Sequence, residues 1–268
     1  TAMDVEEYLS YLESYTKDGK LYTNREEGKA RKLSSLKSFY DYYFKKNLIR
    51  TNPPRQVDVP KIKNKNIIRL DPNEIAQLLD EAESGEKLSG RQLASHEKTK
   101  VRDVAILTLL LGTGIRVSEC VGLNLEDVDF NNGAIRIIRK GGNEALIYFG
   151  DEVSQALEAY MNGPRKTAEP AAGHEEALFI SLNKTRITTR SVERLVKKYS
   201  RLVTTVKKIT PHKLRSTFGT ALYQETGDIY LVADTLGHKD VNTTKKHYAA
   251  IDEHRRRMAA NVVKLRES

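Results

Sequence analysis

TPHKLRSTFGTAL (210–222) and LGHKDVNTTKKHYA (236–249), joined by a short helical run, decide how the rest of this chain is read. His212 and Arg215 stand three apart, which on a helix puts them one turn from each other on a single face. A Leu-Gly-His turn then delivers His238, and Tyr248 follows ten residues later. A guanidinium, two imidazoles and a phenol drawn together suit phosphoryl transfer with tyrosine as the nucleophile. Taken singly, His212 and His238 read as structural histidines and Tyr248 as half-buried packing, as Tyr223 and Tyr230 do. Their combination favours chemistry. A zinc reading of His212, His238 and His247 lacks ligand spacing and a cysteine or carboxylate partner.

Upstream, TGIRVSE (113–119) sets Arg116 just past a glycine, at a helix start beside the apolar run of residues 100–112. A guanidinium so close to a core helix must face a cleft or an anion, since it is almost never buried unpaired. Between residues 125 and 149 the period changes to that of strands. LEDVDF, AIRIIR and EALIYF read as three short antiparallel strands, joined at Asn131-Asn132-Gly133 and Lys140-Gly141-Gly142-Asn143. Lys140 then lies at a hairpin tip.

The remaining pattern is helical. Val5, Tyr8, Leu9 and Leu12 form an amphipathic stripe, with Asp4 as its start, Thr1-Ala2-Met3 an appended remnant or a processed start, and Asp18-Gly19 its end. A second helix spans about residues 24–46 with Leu33, Leu36, Tyr40, Tyr43 and Phe44 inward, and most of the five aromatics between Phe39 and Phe44 are expected in the core. Two such helices bury little surface alone, so further helices before residue 1 or a partner are expected. Pro53, Pro54 and Pro60 make residues 53–66 an extended basic linker. Asp71-Pro72 opens a helix carrying Ile75, Leu78 and Leu79. Residues 83–99, polar and with two glycines, read as a loop. Helices are expected at residues 151–162 and near 188–200, 211–226, 228–236 and 242–248, and the tail 252–268 reads as a basic amphipathic helix.

The fold class is therefore mainly α with a small three-stranded antiparallel sheet (α+β). Its expected units are a small helical domain (1–52), a linker (53–66) and a larger domain (67–268). At 268 residues there is room for one large or two modest cores. No run approaches the ~18 apolar residues of a membrane span, and no secretory leader is recognisable. The single cysteine, Cys120, excludes an internal disulfide and a cysteine-built zinc site, which suits a reducing cytoplasm. Net charge is +9, and residues 25–69 alone carry thirteen Lys or Arg against four Asp or Glu. Two readings fit: a phosphate-neutralising surface or a solvated helix face. On the first, Lys29, Lys32, Ser35, Lys37, Lys61, Lys63 and Lys65 are the candidate phosphate contacts, which the resemblance described below assigns to double-stranded DNA.

TGIRVSE, the Lys-Gly hairpin tip, PHKLRSTFGT, LGHKDVNTTKKHY and, in the small domain, LSSLKSFYDYYFKKNLIRTNPP (33–54) occur in one order and spacing. Together they resemble the tyrosine recombinases, the lambda-integrase and Xer family, over essentially the whole chain from about Asp4. The resemblance implies a core-binding domain ahead of a catalytic domain, and a site-specific recombinase working without cofactor, metal or ATP. Tyr248 would form a 3′-phosphotyrosyl link and free a 5′-hydroxyl. Arg116 and Arg215 would hold the non-bridging oxygens, Lys140 would protonate the leaving oxygen, His212 would handle the tyrosine proton and His238 the phosphate. Glu119 and Asp127 would support them. The family also implies a homotetramer on DNA with the tail helix exchanged between subunits, a DNA-associated location, and a possible accessory bending or excision factor. Relatives carry about four helices in the small domain and a shorter stretch at 83–99, and many integrases add an arm-binding domain. Integration and excision of a mobile element is the favoured role. Chromosome-dimer resolution of the Xer kind, a type IB topoisomerase-like activity on nonspecific DNA, and a catalytically silent DNA-binding regulator are the alternatives.

Overall fold

Local signals set most of the elements. The computed structural model describes residues 1–62, 68–139, 141–238 and 241. The chain divides into two compact units, Thr1–Asn66 and Ile67–Ser268.

In the first unit helix α1 covers Ala2–Tyr11 and is capped by Thr1, whose hydroxyl accepts from the Asp4 amide at 3.3 Å. The helix thus begins ahead of Asp4, at residues the sequence reading set aside. Asp18-Gly19 does not end the unit. It is the two-residue turn of a hairpin between strands β1 (Ser14–Lys17) and β2 (Lys20–Thr23), with Lys17 opposite Lys20. Both turn residues have positive φ, +50° and +71°, as a type I′ turn requires. Helix α2 runs Glu26–Lys45.

Leu9, Leu12, Leu33 and Val57 make the small core. Val57 belongs to the segment expected to be an extended linker. Pro53–Gln56 instead forms a 3-10 turn packed against α1 and α2, and the Lys37 ammonium donates to the Val57 carbonyl at 2.7 Å. The aromatics of α2 also depart from expectation. Phe39, Tyr42 and Phe44 are exposed, Tyr40 and Tyr43 half-buried, and the rings lean on one another, Phe39 against Tyr43 at 4.8 Å.

The second unit is built around helix α4. Helix α3 (Pro72–Ser84) begins with a capping box in which Asp71 and Glu74 satisfy each other's amides, and ends on left-handed Gly85. Helix α4 then spans Gly90–Thr113, so the expected loop at 83–99 shrinks to residues 85–89. The first turns of α4 show no apolar stripe because their inward positions are polar: His96, Thr99 and Asp103 are buried. The Asp103 carboxylate accepts from Thr99 (2.9 Å), the Tyr199 hydroxyl (3.0 Å) and Arg102 (2.7 Å), while His96 Nδ1 lies 3.0 Å from the same hydroxyl. Farther along, Ala105, Ile106, Leu107, Leu109 and Leu110 are buried. They pack under α3, α6 (Asp151–Tyr160) and α8 (Pro211–Thr226).

Helix α5 (Val117–Gly122) leads into the sheet, whose order is β3 (Val128–Asp129), β4 (Ala134–Ile138), β5 (Glu144–Tyr148), all antiparallel. Ile135 faces Ile147, and alternate β4 residues enter the core. Only the end of LEDVDF is strand, because Leu125–Asp127 makes a 3-10 turn. Helix α7 (Thr189–Val203) lies against α3, and α9 (Ile229–Leu236) lies against α8. Tyr223 is buried between those last two, as packing requires, but Tyr230 is exposed. The positions expected to form a helix at 242–248 and the tail helix 252–268 lie outside the described residues.

Candidate active site

Helix α8 opens with Thr210 at its N-cap and Pro211 in its first turn, which leaves His212 on the exposed side and Arg215 inside. Arg215 is 6% exposed. Its Nη1 donates to the Gly114 carbonyl at 2.7 Å, and its Nη2 donates to the Leu236 carbonyl. The first acceptor is the left-handed residue that ends α4, with φ +63°. The second is the last residue of α9. One buried guanidinium thus pins both motif-bearing turns to α8.

Arg116 stands two residues past Gly114, at the N-cap of α5. Its amide donates to Glu119 Oε2 at 2.7 Å and its Nη1 to Oε1 at 2.8 Å, so one buried carboxylate fixes both backbone and side chain. Its Nη2 donates to the Gly237 carbonyl at 3.3 Å. Arg116 and Arg215 therefore grip successive carbonyls at the C-terminal end of α9. The cap amides reach back only to the Ala233 and Asp234 carbonyls there, and the helix dipole leaves partial negative charge. Gly237, at φ +60°, turns the chain back, the His238 amide closes on the Ala233 carbonyl at 2.8 Å, and the half-buried imidazole of His238 follows directly.

The structure gathers Arg116, Arg215 and His238 about this one turn, with His212 a helical turn from Arg215. Lys140 and Tyr248 lie outside the described residues. Asp127 accepts from the Asn124 amide (2.8 Å) and from Arg136 Nε (3.0 Å), tying the turn before β3 to β4. Arg139, absent from the sequence reading, also reaches the end of α9. Its only signal in the sequence was its place beside a hairpin-tip lysine.

The basic segment divides. Lys29 is buried and its ammonium is held by Glu13 at 2.6 Å and Glu26 at 2.8 Å. Those bonds, Glu13 first, raise its pKa. Lys29 thus braces the small unit, its ammonium turned to two carboxylates rather than left open at the surface. Lys37 is spent on the Val57 carbonyl, and the Ser35 hydroxyl on the Arg31 carbonyl at 3.2 Å. Lys32 sits 5.9 Å from the Tyr15 ring centre, and Lys61 is exposed. Lys63 and Lys65 lie outside the described residues. Among the described residues no group of three or more His, Cys, Asp or Glu is placed to hold a metal ion, and no helix is long and apolar enough to cross a membrane.

Residues 68–255 match the family model described as the phage integrase family. The chain belongs to that family. This phage-integrase chain is 37% identical over 218 residues to tyrosine recombinase XerC of Thermodesulfovibrio yellowstonii, covering 81% of this chain and 69% of the relative. It is 29% identical over 259 residues to XerD of Oceanobacillus iheyensis, covering 90% and 83%. Its fold resembles XerH site-specific recombinase in a post-cleavage complex with a palindromic difH substrate (TM-score 0.74, 21% identity, 97% of this chain and 72% of the other). It also resembles the Tn1549 transposon integrase in complex with circular intermediate DNA (TM-score 0.70, 24% identity, 96% and 84%). The integrase chain is a tyrosine recombinase, of the class of enzymes that break and rejoin DNA, and its larger unit has the mainly helical, three-stranded-sheet catalytic fold.

Proposed function

We propose that the chain is a site-specific recombinase that binds double-stranded DNA and uses Tyr248 to attack a scissile phosphate for integration and excision of a mobile element. The observation that carries this is the convergence of Arg116 and Arg215, from motifs about a hundred residues apart, on adjacent carbonyls beside His238. Three cationic or donor groups around one turn suit the growing negative charge of a pentavalent phosphoryl transition state. In the proposed step the Tyr248 oxygen bonds to phosphorus and the bond to the 5′-oxygen breaks. The phenolic proton leaves through His212, and Lys140 supplies a proton to the departing 5′-oxygen. The 3′-phosphotyrosyl link conserves the bond energy, so rejoining is the same step reversed. Glu119 serves by holding Arg116 in place.

Half-buried Lys32 and exposed Lys61 are the described members of the proposed DNA surface; Lys63 and Lys65, proposed with them, lie outside the described residues. Assembly is proposed as a tetramer on two sites, with the tail 252–268 exchanged between subunits. Dimer resolution is the second reading, favoured by the similarity to XerC and XerD. The test is incubation with a nicked suicide duplex, without added metal or nucleotide, followed by a denaturing gel. A covalent protein–DNA band is expected from the wild-type chain and none from Tyr248→Phe. A band from that variant overturns the assignment of the nucleophile. Duplexes carrying mobile-element ends or chromosomal dimer-resolution sequences, compared in the same assay, separate the two roles.

A further inference from the structure

A third guanidinium engages the end of α9. Arg139, directly after β4, donates from Nη1 to the Asp234 carbonyl at 3.5 Å and from Nη2 to the Asp234 and Thr235 carbonyls at 3.4 and 3.2 Å. With Arg215 on Leu236 and Arg116 on Gly237, the carbonyls of residues 234 to 237 are each met by an arginine. The fit around Arg139 is close. A Cβ on Gly237 would stand 2.3 Å from its Nη1 and 2.5 Å from its Cζ, so the guanidinium lies directly against the turn and a side chain there would push it away. Its Nε is buried without a hydrogen-bond partner in the described structure. Leaving a buried donor unsatisfied costs free energy, and the carbonyl bonds of the two Nη atoms offset it.

Resting on the recombinase reading above, we infer that Arg139 is a positioning residue of the phosphate site. It clamps the Gly237-His238 turn to the sheet and so fixes the imidazole of His238 relative to Arg116 and Arg215. The three arginines would repel one another if gathered alone. The outward-facing carbonyl dipoles at the end of α9 offset that repulsion and set their spacing before DNA arrives. Arg116 and Arg215 tie this turn to α5 and α8, whereas Arg139 alone of the three ties it to the sheet.

The test is a double-mutant cycle on the rate of covalent adduct formation, measured in single turnover with saturating suicide duplex. Arg139→Ala is expected to slow adduct formation by about 10- to 100-fold, the scale of a small misplacement of a reacting group, with the half-saturating DNA concentration unchanged. Arg139→Ala combined with His238→Ala should be no slower than His238→Ala alone, because the clamp acts through His238. A wild-type rate in Arg139→Ala overturns the inference, as do costs that multiply in the double variant. Should Arg139→Ala lose its cooperative melting transition, Arg139→Lys, which keeps the stem and the charge but loses the fork, goes through the same cycle with the same criteria. A wild-type chain that forms no adduct removes the recombinase reading and this inference with it, whereas an active wild type with a multiplicative cycle removes this inference alone.

Discussion

Arg215 and Gly114 lie 101 residues apart in the chain and are joined by a 2.7 Å hydrogen bond from guanidinium to main-chain carbonyl. The bond works because Gly114 holds a left-handed backbone that ends α4 and turns its carbonyl toward α8. Core packing and the arrangement of the site therefore meet at one residue.

Gly114→Ala should show this. The new Cβ would fall 2.3 Å from Phe218 Cδ1 and 3.0 Å from Leu236 Cδ2, in a backbone region that L residues avoid. Strain and overlap together should cost about 2–4 kcal/mol, read as a lower urea midpoint, with adduct formation slowed because both flanking arginines shift. An unchanged midpoint would mean that the turn is looser than described.

Arg116→Lys keeps the charge and loses the fork that grips Glu119 and the Gly237 carbonyl together. Cleavage in single turnover should fall by about 10²-fold or more, while DNA affinity changes little, since the interaction is strongest as charge develops. Equal losses in binding and cleavage would place Arg116 in DNA recognition instead.

The buried cluster under α4 governs stability. Asp103→Ala strands Arg102, Lys198 and the Tyr199 hydroxyl, and should cost about 3–5 kcal/mol. Tyr199→Phe removes one donor to that carboxylate and one partner of His96, and should cost about 1–3 kcal/mol. Both are measured by chemical denaturation; at temperatures where the variants stay folded, adduct formation should keep its wild-type rate.

Cys120 is fully buried, and burial pushes its thiol from an ordinary 9.0 up to about 12. The native protein should resist a thiol reagent at pH 8 and react once unfolded. The raised pKa means that the folded state holds its proton while the unfolded state loses it above about pH 9. The thiol's contribution is therefore intact below pH 9 and declines by up to about 1.4 kcal/mol per unit from pH 9 to about 12. A Cys120→Ala variant should show a correspondingly flatter loss of stability over that range.

Lys29 and Lys32 should behave oppositely. Lys29→Gln breaks the ties to Glu13 and Glu26 and should lower the melting temperature without altering how DNA affinity depends on salt. Lys32→Gln should leave melting nearly unchanged and reduce the slope of log affinity against log salt by about one. Identical slopes in both variants would remove Lys32 from the DNA surface.

Several features were legible in the sequence because they depend on neighbours along the chain. The Asn-Gly turn and alternating isoleucines gave the β3–β5 meander. The Leu-Gly-His turn closed α9, and His212 and Arg215 fell one turn apart by helical period. The Asp-Gly hairpin signal is equally local, but its strands lack an apolar face, so in the sequence it looks like a terminator.

What the chain dictated by itself was most of its described helices, the β3–β5 sheet and its cationic motifs, because caps, turns and periodicity act over a few residues. The tertiary structure alone decided which polar groups were spent. It buried His96 and Asp103 inside α4, committed Lys29 to Glu13 and Glu26, and folded Val57 onto the small core. It also placed Arg116, Arg139 and Arg215 on consecutive carbonyls of one helix end. Such pairings arise where distant segments exclude water together, and each buried donor must then take whichever acceptor the packing brings within reach.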